Sequence, residues 1–327
     1  LRLLVGPCGY SIGNYTVEPT HFWRSFRVRE RGDVQKLTIV VNCTDRKSVA
    51  PEADLRIRSI PDGALSERFA QWRGRLDRAN TRVELLNLYQ GDAWLQAKAL
   101  ATDARDSGYS VRMLVASAGL GLRDVTTVAP SYAATFASGH HDSVSDVATT
   151  STWWNHLSDL PDTVSVPELK YESVLLVLSE NYARAMHTDL TEMARGSGEK
   201  FLVGGWRDID GMPRLPANRD LRSALGGTVS TVSLRMARRW IAKRSSSDLF
   251  TSSDLTRWKR WARTAERPEV YERIPMDDNE LIKYIRVLLL QDASLSATRA
   301  LRLMRNQGIA CEQKRFGALF RATAGHR

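Results

Sequence analysis

Short apolar runs alternate with amphipathic stretches through the first two thirds of the chain. The runs occupy residues 38–41, 111–122, 173–179 and 200–206. They are rich in β-branched residues and lack polar alternation, which is typical of strands buried on both faces of a sheet. The longest helical stretch between them, residues 83–106, is interrupted at Gly91. The pattern therefore predicts an α/β fold with a mainly parallel sheet flanked by helices.

Polar or small residues follow each predicted strand. Asp45 comes after the first strand, Ser117 begins a glycine-rich turn in the second, and Ser179 and the pair 204–205 end the third and fourth. In open parallel sheets, ligands bind outside the carboxyl ends of the strands. We therefore expect these positions to meet at one edge and to form a shared pocket.

The chain after a serine-rich stretch at residues 245–253 has a helical pattern throughout. It predicts two domains, an α/β domain over residues 1–245 and a basic helical domain over residues 246–327, while residues 1–37 have no clear assignment. The last helices are predicted over residues 277–291, 296–308 and 311–321, with Ser296 as an N-cap and Gly308 ending the second.

This order of helix, helix, glycine turn and helix is the layout of a helix-turn-helix. In that layout the front of the last helix enters the major groove. Gln313 and Arg315 are then candidates to read base edges, and Arg299, Arg302 and Lys314 are candidates to contact phosphate. A protein-binding helical bundle that uses the same basic face is the alternative.

The net charge of +10 is concentrated in the last hundred residues. Residues 228–327 contain 20 Lys and Arg against 10 Asp and Glu, whereas residues 1–227 contain 27 of each. Charge confined to one part of a chain indicates a polyanionic partner, most simply nucleic acid. A basic surface that serves only solubility is the alternative.

The sequence disfavours three classes of protein: membrane proteins, disulfide-linked proteins and metalloproteins. No apolar run approaches the roughly 18 residues of a membrane helix, and the first residues lack a secretory apolar region, so we expect a cytoplasmic protein. Cys8, Cys43 and Cys311 are too far apart in sequence for a zinc motif or a disulfide framework. His140 and His141 precede Asp142, but adjacent histidines are expected to point apart, so neither a metal nor a cofactor is predicted.

Four motifs carry the candidate chemistry: CTDRK at 43–47, LYQG at 88–91, SAGLGL at 117–122 and YAATFASGHHDSV at 132–144. Each has a purely structural alternative. The first fits a β-turn capped by Asp45, the second fits a helix kink with a packed Tyr89, and the third lacks the spacing of a dinucleotide-binding loop.

In this order the four motifs resemble a superfamily that includes the peroxide-stress protein YaaA and relatives associated with tRNA-guanine transglycosylase and archaeosine synthesis. Those proteins show a Cys-Ser/Thr-x-x-Lys turn, a Leu-Tyr-x-Gly helix start, a strand ending in Ser-Ala-x-x-Gly-Leu, and a Tyr-x-x-Thr-Phe segment followed by Asp-Ser-Val. The resemblance covers residues 38–205, and it departs where Gly119 directly follows Ser117 and Ala118. It implies a fold related to uracil-DNA glycosylase, with a nucleobase pocket at the strand ends.

In glycosylases of that fold, an Asp in the turn after the first strand positions or activates water, and Asp45 matches it. A carboxylate near C1′ stabilises the oxocarbenium-like centre that forms as an N-glycosidic bond breaks. Arg46 and Lys47 would keep Asp45 ionised and contact phosphate. The candidate base-binding residues are Cys43, Thr44, Tyr89, Gly91, Ser117, Ala118, Gly119 and Asp142.

The expected function is a DNA glycosylase that extrudes a modified or damaged base from double-stranded DNA and excises it. Defence against phages with modified DNA is one setting for such an enzyme. Two alternatives stay open. One is a nucleic-acid-binding sensor of modified bases without catalysis, and the other is an RNA base-exchange enzyme in which a carboxylate such as Asp45 acts as a covalent nucleophile.

Overall fold

A computed structural model of the chain describes residues 34–144, 146, 148–268 and 274–325. Cys8 and nearly all of the unassigned segment at residues 1–37 lie outside this part. The strands within it are β1 Lys36–Asn42, β2 Arg82–Glu84, β3 Ser110–Ser117, β4 Gly121–Asp124, β5 Val128–Pro130, β6 Val174–Leu178, β7 Lys200–Gly204, β8 Arg214–Leu215, β9 Ile274–Pro275 and β10 Ile309–Ala310.

The α-helices in the described residues alternate with these strands as far as β8 and predominate after it. They are α1 Leu65–Arg78, α2 Leu85–Leu88, α3 Asp92–Asp106, α4 Thr150–Leu157, α5 Glu180–Ala185, α6 His187–Ala194, α7 Arg222–Leu225, α8 Val232–Lys243, α9 Ser252–Ala265, α10 Asp278–Gln291, α11 Ala297–Asn306 and α12 Gln313–Ala324. Short 3-10 helices cover Ile57–Ser59, Pro167–Tyr171, Arg219–Leu221 and Val229–Thr231.

The central sheet has six strands in the order β4-β3-β1-β6-β7-β8. All neighbouring pairs are parallel except β3 with β4, which form an antiparallel hairpin at one edge. This confirms an α/β fold with a mainly parallel sheet. Taken in chain order, the five parallel strands lie across the sheet as 2-1-3-4-5, a doubly wound arrangement.

The apolar runs form strands because both faces of the sheet are covered. Every residue of β6 and β7 is buried, as are residues 37–41 of β1. Helix α3 packs against β3, and α8 packs against β6, β7 and α3. Two ion pairs tie α8 to α3, one from Arg235 to Asp92 and one from Arg238 to Asp103, at 3.1 and 2.7 Å.

Two predicted elements differ from the structure. The run at residues 111–122 is a hairpin rather than one strand, because the chain reverses between Ser117 and Gly121 and β4 pairs back onto β3. The helical stretch at 83–106 opens with β2, which pairs with β5 instead of continuing the helix. The first difference is a local reversal within one apolar run, and the second arises from pairing with β5, which lies outside the helical stretch.

The main hydrophobic core extends beyond the predicted domain boundary at residue 245. Leu249, Trp258 and Ala262 belong to the same buried cluster as the sheet, so α9 packs with the α/β part. A second buried cluster is formed by α10, α11 and α12, with Ile285, Phe316 and Met304 fully buried.

The last three helices lie close to their predicted bounds. Helix α10 has a capping box between Asp277 and Glu280, and the Oγ of Ser296 accepts a hydrogen bond from the amide of Arg299 at the start of α11. Helix α12 begins at Gln313 rather than at residue 311, because the preceding segment pairs as β10 with β9. In the part of the chain that the structure describes, no helix is long and apolar enough to cross a membrane.

Candidate functional site

The doubly wound sheet directs attention to the carboxyl end of β1. In chain order the next parallel strand of this sheet is β3, which lies on one side of β1, and the one after it is β6, which lies on the other side. Connections that leave in opposite directions open a crevice between β1 and β6, where ligands bind in such sheets. Cys43 follows β1 and Tyr182 lies on α5 after β6, and the Cys43 Sγ is 3.0 Å from the Tyr182 hydroxyl. Cys43 is a free thiol, as is Cys311.

The turn after β1 is paired with the segment between α2 and α3. The amide of Ser48 donates to the carbonyl of Leu88 at 2.8 Å, and the amide of Gln90 donates to the carbonyl of Arg46 at 2.9 Å. Gly91 then adopts a φ of 95°, which side-chain-bearing residues rarely adopt, and this lets the chain turn into α3. The first two sequence motifs are therefore one structural unit.

Three buried hydroxyl groups connect the remaining motifs. The Tyr132 hydroxyl lies 2.5 Å from the Ser117 Oγ and 2.7 Å from the Tyr89 hydroxyl. The Ser117 Oγ also accepts hydrogen bonds from the amides of Gly119 and Leu120 at 3.1 and 3.0 Å. Burial raises the pKa of both tyrosines well above the usual value, so these groups stay protonated and hold the turn after β3 in place.

Lys47 points inward onto this network. Its Nζ lies 4.5 Å from the centre of the Tyr132 ring and 5.7 Å from that of Tyr89, within the range of a cation–π contact. It donates hydrogen bonds to the carbonyls of Thr44 and Asp45 at 3.2 and 3.3 Å. Burial lowers its pKa, and the nearby acidic groups, Asp45 and Asp142 among them, oppose that effect only in part.

Asp45 and Arg46 lie at the exposed tip of the turn. Within the described residues the Asp45 carboxylate makes no side-chain hydrogen bond or ion pair of its own. The Thr44 hydroxyl donates to the Arg46 carbonyl at 3.0 Å, which fixes the backbone of the turn. The expected pairing of Lys47 with the Asp45 carboxylate is replaced by a hydrogen bond to the Asp45 carbonyl, so the acid remains open to solvent.

The small residues of the SAGLGL turn are explained by packing. A Cβ on Gly119 would lie 2.5 Å from Tyr132 and 3.1 Å from Trp72, so only glycine fits. The carbonyls of Gly119 and Ala118 accept hydrogen bonds from the indoles of Trp72 and Trp153, both at 2.8 Å. Ser117 and Ala118 are fully buried. These backbone groups already have partners, and the space beside them is filled by aromatic rings.

Tyr89 likewise presents no free face. It is 2% exposed and packs on Trp94 with ring centres 5.0 Å apart. The predicted base-binding residues therefore separate into two groups. Cys43, Thr44 and Gly91 line the accessible turn, whereas Tyr89 and the SAGLGL turn support it from below.

The expectation that the adjacent histidines point apart is wrong. The rings of His140 and His141 stack with centres 4.2 Å apart, because the chain makes a tight turn after Gly139, which has a φ of 74°. The amide of Asp142 donates to His140 Nδ1 at 3.1 Å, and His141 Nε2 lies 3.1 Å from the carboxylate of Asp142.

Asp142 is 3% exposed, and its carboxylate also lies 3.6 Å from the Arg58 guanidinium. One ligand atom from each of His140, His141 and Asp142 lies within 4.8 Å of the others, so these residues are the ones in the described chain that could hold a metal ion. Such an ion would share Asp142 with Arg58. The buried carboxylate already has two partners that anchor the fourth motif beside Lys47.

A further cluster at the same edge was not predicted. Trp206 follows β7, and the guanidinium groups of Arg184 and Arg207 lie 4.1 and 4.4 Å from its ring centre. His187 packs edge-on against Trp206 and contacts Arg207, and burial together with the Arg207 charge lowers its pKa. Tyr182 follows the third predicted strand and Trp206 ends the fourth predicted run, so their position in the sequence was the available signal.

The candidate nucleic-acid contacts of the last helices differ in availability. Arg299, Arg302, Gln313 and Lys314 have exposed side chains. Arg315 instead donates to the Asp278 carboxylate at 2.8 Å and to the Met276 carbonyl at 3.0 Å, which ties α12 to the start of α10.

Comparison with protein-family models, curated proteins and solved structures returns no match. The resemblance in the four motifs therefore rests on the residues themselves.

Proposed function

We propose that this chain is a DNA glycosylase that acts on an extruded base at the carboxyl end of β1. The observation that carries the proposal is an exposed carboxylate, Asp45, at the switch point of a doubly wound sheet, on a turn braced from below by Lys47 and Tyr132. A catalytic carboxylate must be accessible and held near the reacting atom; the exposed position of Asp45 supports the first requirement, and the braced backbone of the turn supports the second.

In the proposed reaction the base enters the crevice between β1 and β6. The C1′–N bond breaks with its electron pair going to the base, and the positive charge that develops at C1′ is stabilised by the Asp45 carboxylate. A water molecule oriented by Asp45 adds to C1′, and Asp45 accepts the proton that this water releases. Arg46 and Arg207 are both exposed at this edge, and in this proposal they contact the flanking phosphates.

The resemblance to the superfamily that includes YaaA supports the same interpretation, since it implies a fold related to uracil-DNA glycosylase. The helices α10, α11 and α12 are proposed to act as a helix-turn-helix that supplies duplex affinity. Exposed Arg299, Arg302, Gln313 and Lys314 support that role, while Arg315 is the proposed contact with a competing structural partner.

One observation favours a second candidate, a sensor that binds a modified base without cleaving it. The catalytic carboxylates of glycosylases are normally held by hydrogen bonds, and the Asp45 carboxylate accepts none within the described residues. A binding protein needs only the crevice and the surrounding cations. Catalysis by Asp45 therefore requires that the bound DNA, or water bound to it, donates the hydrogen bonds that hold the carboxylate.

The test is base release from duplex DNA that carries a panel of base modifications, detected as free base and as alkali-labile abasic sites. The variant Asp45→Asn should reduce release by about 10²- to 10³-fold with unchanged duplex affinity. Asp62→Asn is the matched control, because Asp62 is also an exposed loop aspartate, and it should leave release unchanged.

Three outcomes separate the candidates. Duplex binding without release from any modified DNA would favour the sensor. Incorporation of labelled free base into RNA, without net release, would favour the base-exchange enzyme. Equal release by wild type and Asp45→Asn would remove Asp45 from the mechanism.

A further inference from the structure

The basic excess of the chain is concentrated in α8, α9 and the loop between them. Residues 232–265 contain nine Lys and Arg against two Asp, a net charge of +7. Residues 274–325, which form the last three helices, contain eight against five, a net charge of +3. The stronger positive charge therefore belongs to helices that pack into the core of the α/β part.

The cations of this region fall into two classes. Arg235 and Arg238 pair with carboxylates of α3, and Arg257 pairs with Asp254. Lys259, Arg260 and Arg263 on α9 are exposed and have no ion-pair partner within the described residues, and Lys243 at the end of α8 is also exposed.

Like charges lie close together on α9. Arg260 and Arg263 are three residues apart and Lys259 and Arg263 are four apart, spacings that place side chains side by side on a helix. Such neighbours repel one another, and a polyanion that binds along the helix removes the repulsion. Ser252, Ser253 and Thr256 add exposed hydroxyl groups at the start of the same helix.

A cleft of about 220 Å³ opens between α8 and α9, and the residues that line it are not Lys259, Arg260 and Arg263 but a second group of basic and aromatic side chains. Arg239, Trp261 and Lys243 line it, and the Arg239 guanidinium lies 3.7 Å from the centre of the Trp261 ring. Stacking on the indole holds the guanidinium plane in place while its N–H groups remain available. Fixed guanidinium groups beside mobile lysines are the usual means of binding phosphate oxygens.

We propose that α8 and α9 form a docking surface for the sugar–phosphate backbone of double-stranded DNA. The proposal rests on the proposed function for the identity of the polyanion, and it adds that the α/β part carries its own DNA contact, separate from α10–α12. A cationic surface on the body that holds Asp45 would keep the duplex on the enzyme whether or not the last helices are engaged.

The test uses the full chain and the triple variant Lys259→Gln, Arg260→Gln and Arg263→Gln, three exposed residues that make no side-chain hydrogen bond or ion pair within the described part of the chain. The control triple is Lys36→Gln, Arg73→Gln and Arg78→Gln, which removes the same charges from exposed positions on β1 and α1. Affinity for an unmodified duplex is measured from 50 to 200 mM salt, so that no turnover intervenes. Circular dichroism and thermal unfolding establish that both variants are folded.

For three lost phosphate contacts, the slope of log affinity against log salt should become shallower by about 2.7 in the α9 triple, with affinity at 50 mM salt at least about tenfold lower. The control triple should keep the wild-type slope. Equal slopes in the two triples would overturn the proposal. So would a result in which the α9 triple loses affinity for single-stranded RNA or for polyglutamate but keeps its affinity for the duplex.

The two proposals fail separately. If wild type binds duplex with the expected slope difference but releases no base, the docking surface stands and the glycosylase proposal fails. If base is released and the α9 triple binds DNA as the control does, the glycosylase proposal stands and the docking surface is wrong.

Discussion

The amino group of Lys47 lies 4.5 Å from the centre of the Tyr132 ring, and this contact joins the turn after β1 to the segment after β5. The two residues are far apart in sequence and belong to different motifs. Because the Tyr132 hydroxyl also meets Ser117, one buried tyrosine supports both strand ends of the candidate site.

Lys47 should make the stability of the protein depend on pH. Its pKa is lowered from 10.5 by burial, so between the lowered value and 10.5 the folded state binds fewer protons than the unfolded chain. The free energy of unfolding should therefore increase as pH rises through that window. At pH values below the window, the folded protein carries the full cost of burying the charged lysine. Urea unfolding of wild type and Lys47→Met at a series of pH values should show wild type gaining on the variant as pH approaches 10.5. Exposed Lys98→Met is the control and should show no such trend.

Tyr132→Phe should destabilise the protein by about 1–3 kcal/mol, because it leaves the buried Ser117 and Tyr89 hydroxyl groups without their shared partner. Chemical denaturation measures the change. Tyr171→Phe removes a hydroxyl from a side chain that is 72% exposed and should change the stability by less than about 0.5 kcal/mol. Equal effects of the two variants would show that the buried network is not stabilising.

Gly119→Ala should cost about 1–3 kcal/mol, since the new methyl group would overlap the rings of Tyr132 and Trp72. Base release should fall with it if the turn after β3 positions the site. Gly74→Ala is the matched control. Gly74 lies within α1, where the new Cβ meets only the flexible end of Arg78, so helix propensity should make this change stabilising by about 0.5–1 kcal/mol. A neutral Gly119→Ala would contradict the packing described for this turn.

Lys314 and Arg315 are neighbours on α12 and should behave differently. Lys314→Gln removes an exposed cation without a structural partner among the described residues, so it should leave thermal stability unchanged and make the salt slope of duplex binding shallower by about 0.9. Arg315→Gln breaks the partly exposed pair with Asp278 and should cost up to about 1 kcal/mol. Thermal unfolding and a salt titration of duplex binding distinguish the two. Loss of DNA affinity in Arg315→Gln alone would reverse these roles.

The helices and strands that are specified by residues close together in the sequence were predictable from it. The buried strands β1, β6 and β7 follow from continuous β-branched and apolar runs, and α10 and α11 follow from their helical pattern, with Ser296 as the predicted N-cap of α11. The position of the candidate site at the strand ends follows as well, because parallel strands with helical crossovers place their carboxyl ends together.

Side-chain direction and pairing were decided by the tertiary structure. Lys47 turns inward because Tyr132 lies beneath it, Arg315 is occupied because Asp278 lies opposite, and residues 121–124 pair back onto β3 because that edge of the sheet is free. The first two depend on a partner distant in sequence, and the third on a nearby hairpin partner. The amino-acid sequence by itself determined which segments are strands and helices and which strand ends carry polar groups. Only the folded chain, by bringing distant surfaces into contact, decided that Asp45 stays exposed while Lys47 is partly buried.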